Sequence, residues 1–213
     1  VCIRDTLVFF DLLRRNLTGL DKYKMPHNAE LIQEHTRRFP ESPFGRRNVQ
    51  LLRSFYPWLE EIQHYMLERI GQAKHCIQII SPYYYPIKEL DEALIAAQRR
   101  GVRIEIITSL KRDVPAYKHM QSAVLFKDYI AEGIEVYEYT KNFLHAKAVC
   151  VDEQYVNMGS FNLDHWSWYN NNEVNVEVAN VADISAQFSH IYAKLRKHSR
   201  RVEAKEDYDS FVD

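Results

Sequence analysis

The stretch NFLHAKAVCVDEQYVNMGSFN, residues 142–162, sets His145 and Lys147 two residues apart, follows them with Asp152, and closes on Gly159, Ser160 and Asn162. Each ion placed in what reads as buried strand costs free energy unless it is paired or used. Together an imidazole, an ammonium, a hydroxyl and a carboxamide can hold a phosphate and do chemistry on it. Lys147 and Asn162 would neutralise and orient non-bridging oxygens. His145, with an unperturbed pKa of about 6.5, would attack phosphorus or protonate a leaving oxygen near neutral pH.

For these groups to meet, the chain has to place them at one end of a sheet. HAKAVCVD and QYVNMGS read as two strands joined hairpin-like by DEQ. Residues i and i+2 of a strand share a face. His145 and Lys147 are therefore expected side by side, with Ser160 and Asn162 just past the second strand at the same end. Upstream, strand-like and helix-like segments alternate: a helix over WLEEIQHYMLERIGQA ending at Gly71, a strand CIQII, and a helix over KELDEALIAAQRRG stopped by Gly101. VRIEIIT follows as a strand, then a helix from Pro115 stopped by Gly133, and a strand IEVYEY. Downstream come a polar, Trp-rich segment, a strand EVNVEVA, and a helix DISAQFSHIYAKLRKHSRR. This predicts an α/β sandwich with an at least partly parallel sheet.

The basic end of that last helix, Lys194, Arg196, Lys197, Arg200 and Arg201, suits a helix C-terminus. A solvated, dipole-matched end is favoured over a phosphate or anionic-lipid contact. Residues 21–45 hold Pro26, Pro40, Pro43 and Gly45 among polar residues and read as a linker or covering loop. IRDTLVFF before it reads as a strand, and EAKEDYDSFVD as an acidic, fraying tail. The start at Val1 reads as a fragment or a processed form, and Arg4, Asp5 and Asp11 exclude a signal-peptide core.

With 213 residues, 46% hydrophobic and 27% charged, the chain has the composition of a folded globular protein, neither disordered nor fibrous. A net charge of −1 does not write a nucleic-acid-binding surface into the total. No apolar run approaches the roughly 20 residues needed to span a bilayer. Cys2, Cys76 and Cys150 are odd in number and far apart, which favours free thiols, and no metal-ligand spacing appears. The glycosylation-like triplet at Asn16 is too short to weigh, and His119 and His165 lie off the motif.

The pattern His145-x-Lys147-x4-Asp152-x6-Gly159-Ser160-x-Asn162 resembles the full signature of the phospholipase D (HKD) superfamily. SPYYYP, RRGVRIEIIT, IAEGIEVYEY and NNNEVNVEV look like the matching segments of bacterial-type cardiolipin synthases, and RDTLVFF resembles the strand that closes their first half. The resemblance implies a mixed β-sheet flanked by helices on both faces. It implies the end of a preceding half-domain over residues 1–20, a catalytic domain over 46–201 and a tail over 202–213.

It also implies roles. His145, Lys147 and Asp152 form the catalytic motif, with Asp152 expected to hold a hydrogen-bond network more than to react. Lys147, Ser160 and Asn162 bind the substrate phosphate. Gly159 supports them, and Glu173 stands where family members often carry an acid that orients a catalytic His. No metal or cofactor is implied.

Such enzymes use two motifs, one His forming a phospho-histidine and the other serving as acid and base. Only one motif occurs here. The second half-site would come from the same parent chain or from a homodimer, and in the first case His145 would be the acid–base. The implied reaction is phosphatidyl transfer of the cardiolipin synthase type, with phosphatidylglycerol as donor at a bacterial inner or mitochondrial membrane. Phospholipase D hydrolysis is the alternative, then a dimeric phosphodiesterase or nuclease, although nucleic acid is not expected; a lipid-binding module without activity is the non-enzymatic one. Tyr83, Tyr84, Tyr85, Trp166 and Trp168, near strand ends flanking the motif, suit a lipid interface as well as they suit packing.

Overall fold

The computed structural model describes residues 48–109 and 129–203. The expected first strand, the linker, most of the helix from Pro115, the acidic tail, Cys2, Asn16 and His119 lie outside the described residues.

The elements run β1 (Val49–Phe55), β2 (Leu59–Glu60), α1 (Glu61–Gln72), β3 (Cys76–Ser81), β4 (Tyr84–Tyr85), α2 (Lys88–Arg99), β5 (Arg103–Thr108) and β6 (Glu135–Tyr139). Then come β7 (Ala148–Val151), β8 (Tyr155–Gly159), β9 (Leu163–Asp164), α3 (His165–Tyr169), β10 (Asn172–Ala179), α4 (Ala182–Lys197) and β11 (Ser199–Arg201). Nine strands form one mixed sheet in the order β11-β6-β5-β3-β7-β8-β10-β1-β2, and β4 pairs with β9 in a small second sheet. β5 runs parallel to β3 and β6, as βαβ-type connections require. β7, β8 and β10 form the antiparallel half.

Helices cover both faces, as expected. Ile62, Met66 and Ile70 of α1 and Leu90, Leu94 and Ala97 of α2 recur at helical spacing and pack with Ile77, Ile79, Ile104, Ile106 and Val149. On the opposite face Phe188 and Tyr192 of α4 pack with Ile80, Ile107, Cys150 and Val156. Cys76 and Cys150 are buried free thiols, and burial pushes the Cys150 thiol up to about 12. Gly101 closes the turn after α2 at φ +91°, a conformation that favours glycine. Gly71 does not end α1, which runs on to Gln72 before Ala73 turns extended.

Three features depart from the expected pattern. β1 was not foreseen: VQLLRSF lacks clean alternation, and it is a strand because it pairs along its whole length with β10. Arg200 and Arg201 leave the helix and form β11 on the edge of β6. There Arg200 meets the buried carboxylate of Glu138 at 3.2 Å and Arg201 meets Glu135 at 3.6 Å. Arg196 lies over the Tyr137 ring at 3.9 Å and 3.6 Å from Glu105. These three arginines thus sit against acids of the sheet while staying partly solvated, and Lys194, Arg196 and Lys197 remain the basic last turn the helix pattern suggested. Finally, β10 turns its polar row inward: Glu173, Asn175 and Glu177 are buried, while Val174, Val176 and Val178 are half-buried.

Glu177 shows how that inversion is sustained. Its carboxylate, 1% exposed, takes the Arg69 guanidinium of α1 at 3.1 Å and the Gln50 amide of β1 at 2.8 Å. Removing one partner of a buried ion pair typically costs about 3–5 kcal/mol because the other charge is stranded. Glu177→Ala is expected to lower stability by about 3 kcal/mol, and Glu177→Gln by less, since the amide still accepts a hydrogen bond. Urea unfolding of the two variants measures this; losses below about 1 kcal/mol in both would remove the stranded-charge account.

Candidate active site

His145 and Lys147 do not lie on a strand; they immediately precede β7, which begins at Ala148. Their proximity comes from the lysine side chain, which folds back so that Nζ lies 3.0 Å from His145 Nε2 and donates to the His145 carbonyl at 2.9 Å. The direction of this contact depends on the tautomer of the ring. Phe143 stacks on the imidazole at 5.5 Å and 28°, and Tyr83 meets it edge-on at 6.1 Å. Lys147 Nζ also stands 5.9 Å above the Tyr83 ring.

The other half of the motif is fastened alongside. The Gly159 N–H donates to the Lys147 carbonyl at 3.3 Å. A Cβ on Gly159 would come within 2.2 Å of Asn175 Oδ1 and 2.3 Å of the Val174 carbonyl, so only glycine fits. Asn175 uses that approach: it accepts the Phe161 N–H at 3.1 Å and donates to Asn157 at 2.6 Å. Ser160 accepts the Val174 N–H at 3.0 Å and gives its proton to Glu173. Asn162 donates its N–H to Ser167 Oγ at 3.1 Å, while its side-chain Oδ1 is buried without a hydrogen-bond partner. A half-turn of that carboxamide would present the NH2 donors in its place.

Glu173 receives Ser160, Ser167 (2.7 Å) and Asn171 (3.2 Å). The resemblance placed at Glu173 an acid that orients a catalytic His; the partners these bonds identify are the serines of the Asn162 loop and Asn171. Asp152 is not brought to the cluster. It sits at the β7–β8 turn, at the opposite end of β7 from His145, with φ +53°. Its carboxylate accepts the backbone N–H groups of Lys74 (2.8 Å), His75 (2.7 Å) and Cys76 (2.9 Å) at the start of β3. Burial pushes this carboxyl up, but the three N–H donors outweigh it and hold the group below its ordinary value.

The family model described as the cardiolipin synthase, phospholipase D-like domain matches residues 66–196. The chain belongs to this family. It is similar to the minor cardiolipin synthase ClsB of Bacillus subtilis, 33% identical over 142 residues, which are 67% of this chain and 34% of that protein. It is also similar to cardiolipin synthase A of Buchnera aphidicola, 30% identical over 162 residues, 76% of this chain and 32% of that protein. The chain thus spans about a third of the length of these curated relatives. Among solved structures, Nuc, a phospholipase D family member from Salmonella typhimurium, overlays with a TM-score of 0.64 at 22% identity, covering 73% of this chain and 98% of that one. Phosphatidylserine synthase of Haemophilus influenzae gives 0.63 at 18% identity, covering 73% and 40%. Both likenesses are of fold.

Within this phospholipase D-like frame the expected aromatic mouth is only partly realised. Tyr84 is fully buried and bonded to Tyr129, and Trp168 packs on Phe161 in the core. Trp166 is 61% exposed, and Phe143, not foreseen, is 55% exposed. His165 is exposed against Tyr169 and is no part of the cluster. Ser167 and Asn171 were also missed. Asp164 accepting the Ser167 N–H at 2.8 Å is an N-cap, and the spacing Asp164-x-x-Ser167 was its signal in the sequence.

The clamp at Asp152 has a pH signature. An unfolded Asp titrates at about 3.9, so the ion stabilises the fold above that pH and the contribution is lost as pH falls through the lower native value. Asp152→Asn is expected to cost about 1–2 kcal/mol at pH 7, with the gap to the parent shrinking below about pH 4. Denaturant unfolding across pH 3–7 checks it; a gap constant in pH would mean the charge plays no part.

Proposed function

We propose that this chain supplies one half-site of a phosphatidyltransferase of the cardiolipin synthase type. The observation that carries the reading is the convergence of His145 and Lys147 with the Ser160–Asn162 loop, fastened by the Gly159–Lys147 backbone bond. In this reading Lys147 and Asn162 bind the non-bridging oxygens of the transferred phosphate, and Ser160 fixes the loop. Asp152 holds the far end of the hairpin, and Glu173 holds the loop's serines. The second half-site, in the same parent protein or in a second copy, provides the nucleophilic His.

The exchange then runs in two balanced steps. The partner His attacks phosphorus of phosphatidylglycerol; the bond from phosphorus to the glycerol oxygen breaks, and His145 donates its proton to that oxygen. A lipid hydroxyl next gives its proton to the now neutral His145 and attacks phosphorus, and the bond from phosphorus to nitrogen breaks. Water in place of the lipid alcohol would give phospholipase D hydrolysis.

The test uses the full-length protein with phosphatidylglycerol vesicles and mass spectrometry of the products. Cardiolipin with free glycerol is expected, falling at least about a hundredfold in His145→Ala. Phosphatidic acid as the sole product would replace the transferase reading by the hydrolase one. Turnover unchanged in His145→Ala would remove both.

A membrane surface is part of the same proposal. Among the described residues no helix is long and apolar enough to cross a membrane. Phe143 and Trp166, the two most exposed large hydrophobic residues near the site, lie two residues before His145 and four after Asn162. Aromatic rings at such an edge suit the headgroup level of a bilayer. Trp166→Ala is expected to weaken co-sedimentation with phosphatidylglycerol vesicles several-fold while leaving the melting temperature in place. Unchanged sedimentation would assign Trp166 to another contact.

A further inference from the structure

We propose that Ser167 is a positioning residue of the site. Its hydroxyl fixes the direction of the hydrogen bonds that hold the Asn162 loop and the Glu173 carboxylate, and so sets how tightly the phosphate is held. The proposal rests on the phosphodiester-exchange reading above. Ser167 is fully buried, and its Oγ accepts the Asn162 N–H at 3.1 Å. A hydroxyl has one proton, and the donor it already receives leaves that proton for Glu173 Oε1 at 2.7 Å. The direction is therefore single-valued: Asn162 N–H to Ser167 to Glu173.

On the other carboxylate oxygen Ser160 stands in the same relation, accepting the Val174 N–H and donating to Glu173. The two ends of the segment 160–167, with Asn162 between them, are thus tied to the two oxygens of one buried carboxylate. Ser167 itself cannot drift. Its N–H is held by Asp164, and the next residue's carbonyl, that of Trp168, accepts the Gln63 amide of α1 at 3.0 Å.

Removing this one oxygen changes little volume. It frees the Asn162 N–H and leaves Asn171 as the donor on Glu173 Oε1. The consequence falls on the placement of the Asn162 carboxamide, whose buried Oδ1 has no protein partner.

The test compares the full-length parent with Ser167→Ala, Ser167→Thr and His145→Ala. Inorganic phosphate affinity is read by calorimetry, whose stoichiometry counts folded sites, and turnover is read on phosphatidylglycerol vesicles. Ser167→Ala is expected to weaken phosphate binding about tenfold and lower kcat by a further factor of about ten, with Ser167→Thr recovering most of both. Phosphate affinity and turnover per folded molecule within twofold of the parent in Ser167→Ala would overturn the proposal, whatever happens to its melting temperature. That result beside a dead His145→Ala overturns this inference alone. Parent-like turnover in His145→Ala overturns the reading of the site and this inference with it.

Discussion

The carboxylate of Glu173, 5% exposed, is the point on which the site and the antiparallel half of the sheet both depend. A buried charge without donors is among the costlier things a protein can contain. Here the donors are Ser160, Ser167 and Asn171, and they can reach the carboxylate in only one register. Slipping β10 by one residue against β8 would turn Val174, Val176 and Val178 inward and strand the Asn175–Asn157 and Glu177–Arg69 pairs as well. The polar row therefore acts as a registration device, and it places Ser160 against Glu173. Gly159 belongs to the same constraint, because any side chain there would displace Asn175.

What was legible in the sequence follows from which interactions are local. α1 and α2 carry apolar spacing that only a helix satisfies, and Gly101 marks its own turn, so these were readable. The hairpin of β7 and β8 was readable from two short apolar runs around DEQ. β1 was not, because its pattern makes sense only beside β10, more than a hundred residues on. β11 was hidden because two arginines just after a helix look like part of a dipole-matched end until Glu135 and Glu138 of the sheet are known to face them. Among the site residues, the motif positions were visible by type and spacing, whereas Ser167 acquires its part only once α3 folds back over Glu173. The pairing of His145 with Lys147 was foreseen for a different reason from the actual one: a lysine folding back over two residues, not the pleat of a strand.

The arginines of the sheet are paired at a distance from the motif. Arg69, Arg196, Arg200 and Arg201 are engaged by Glu177, Glu105, Glu138 and Glu135 away from the motif. An anion approaching the sheet therefore meets cations whose field is already spent on neighbouring carboxylates. At the motif, Lys147 lies against the His145 ring and carbonyl and the face of Tyr83.

The spacing of the motif can then be read as a measured length of hairpin. Asp152 clamps the backbone at the start of β3, where its charge is satisfied by three N–H groups. From that clamp the chain runs back through β7 to Lys147, about 16 Å at 3.3 Å per residue. β8 returns from the turn to Gly159, which bonds to Lys147. β3 follows from its clamped start to Ser81, whose hydroxyl receives the Leu163 N–H at the site end. Three paired strands of four to six residues thus run from the end held by one carboxylate to the end that carries the cluster. The interval between Lys147 and Asp152 is the length of a strand, and the interval from Asp152 to Ser160 is a turn and the strand back. In the proposed half-site Asp152 fixes the far end of the hairpin, one strand's length from the cluster.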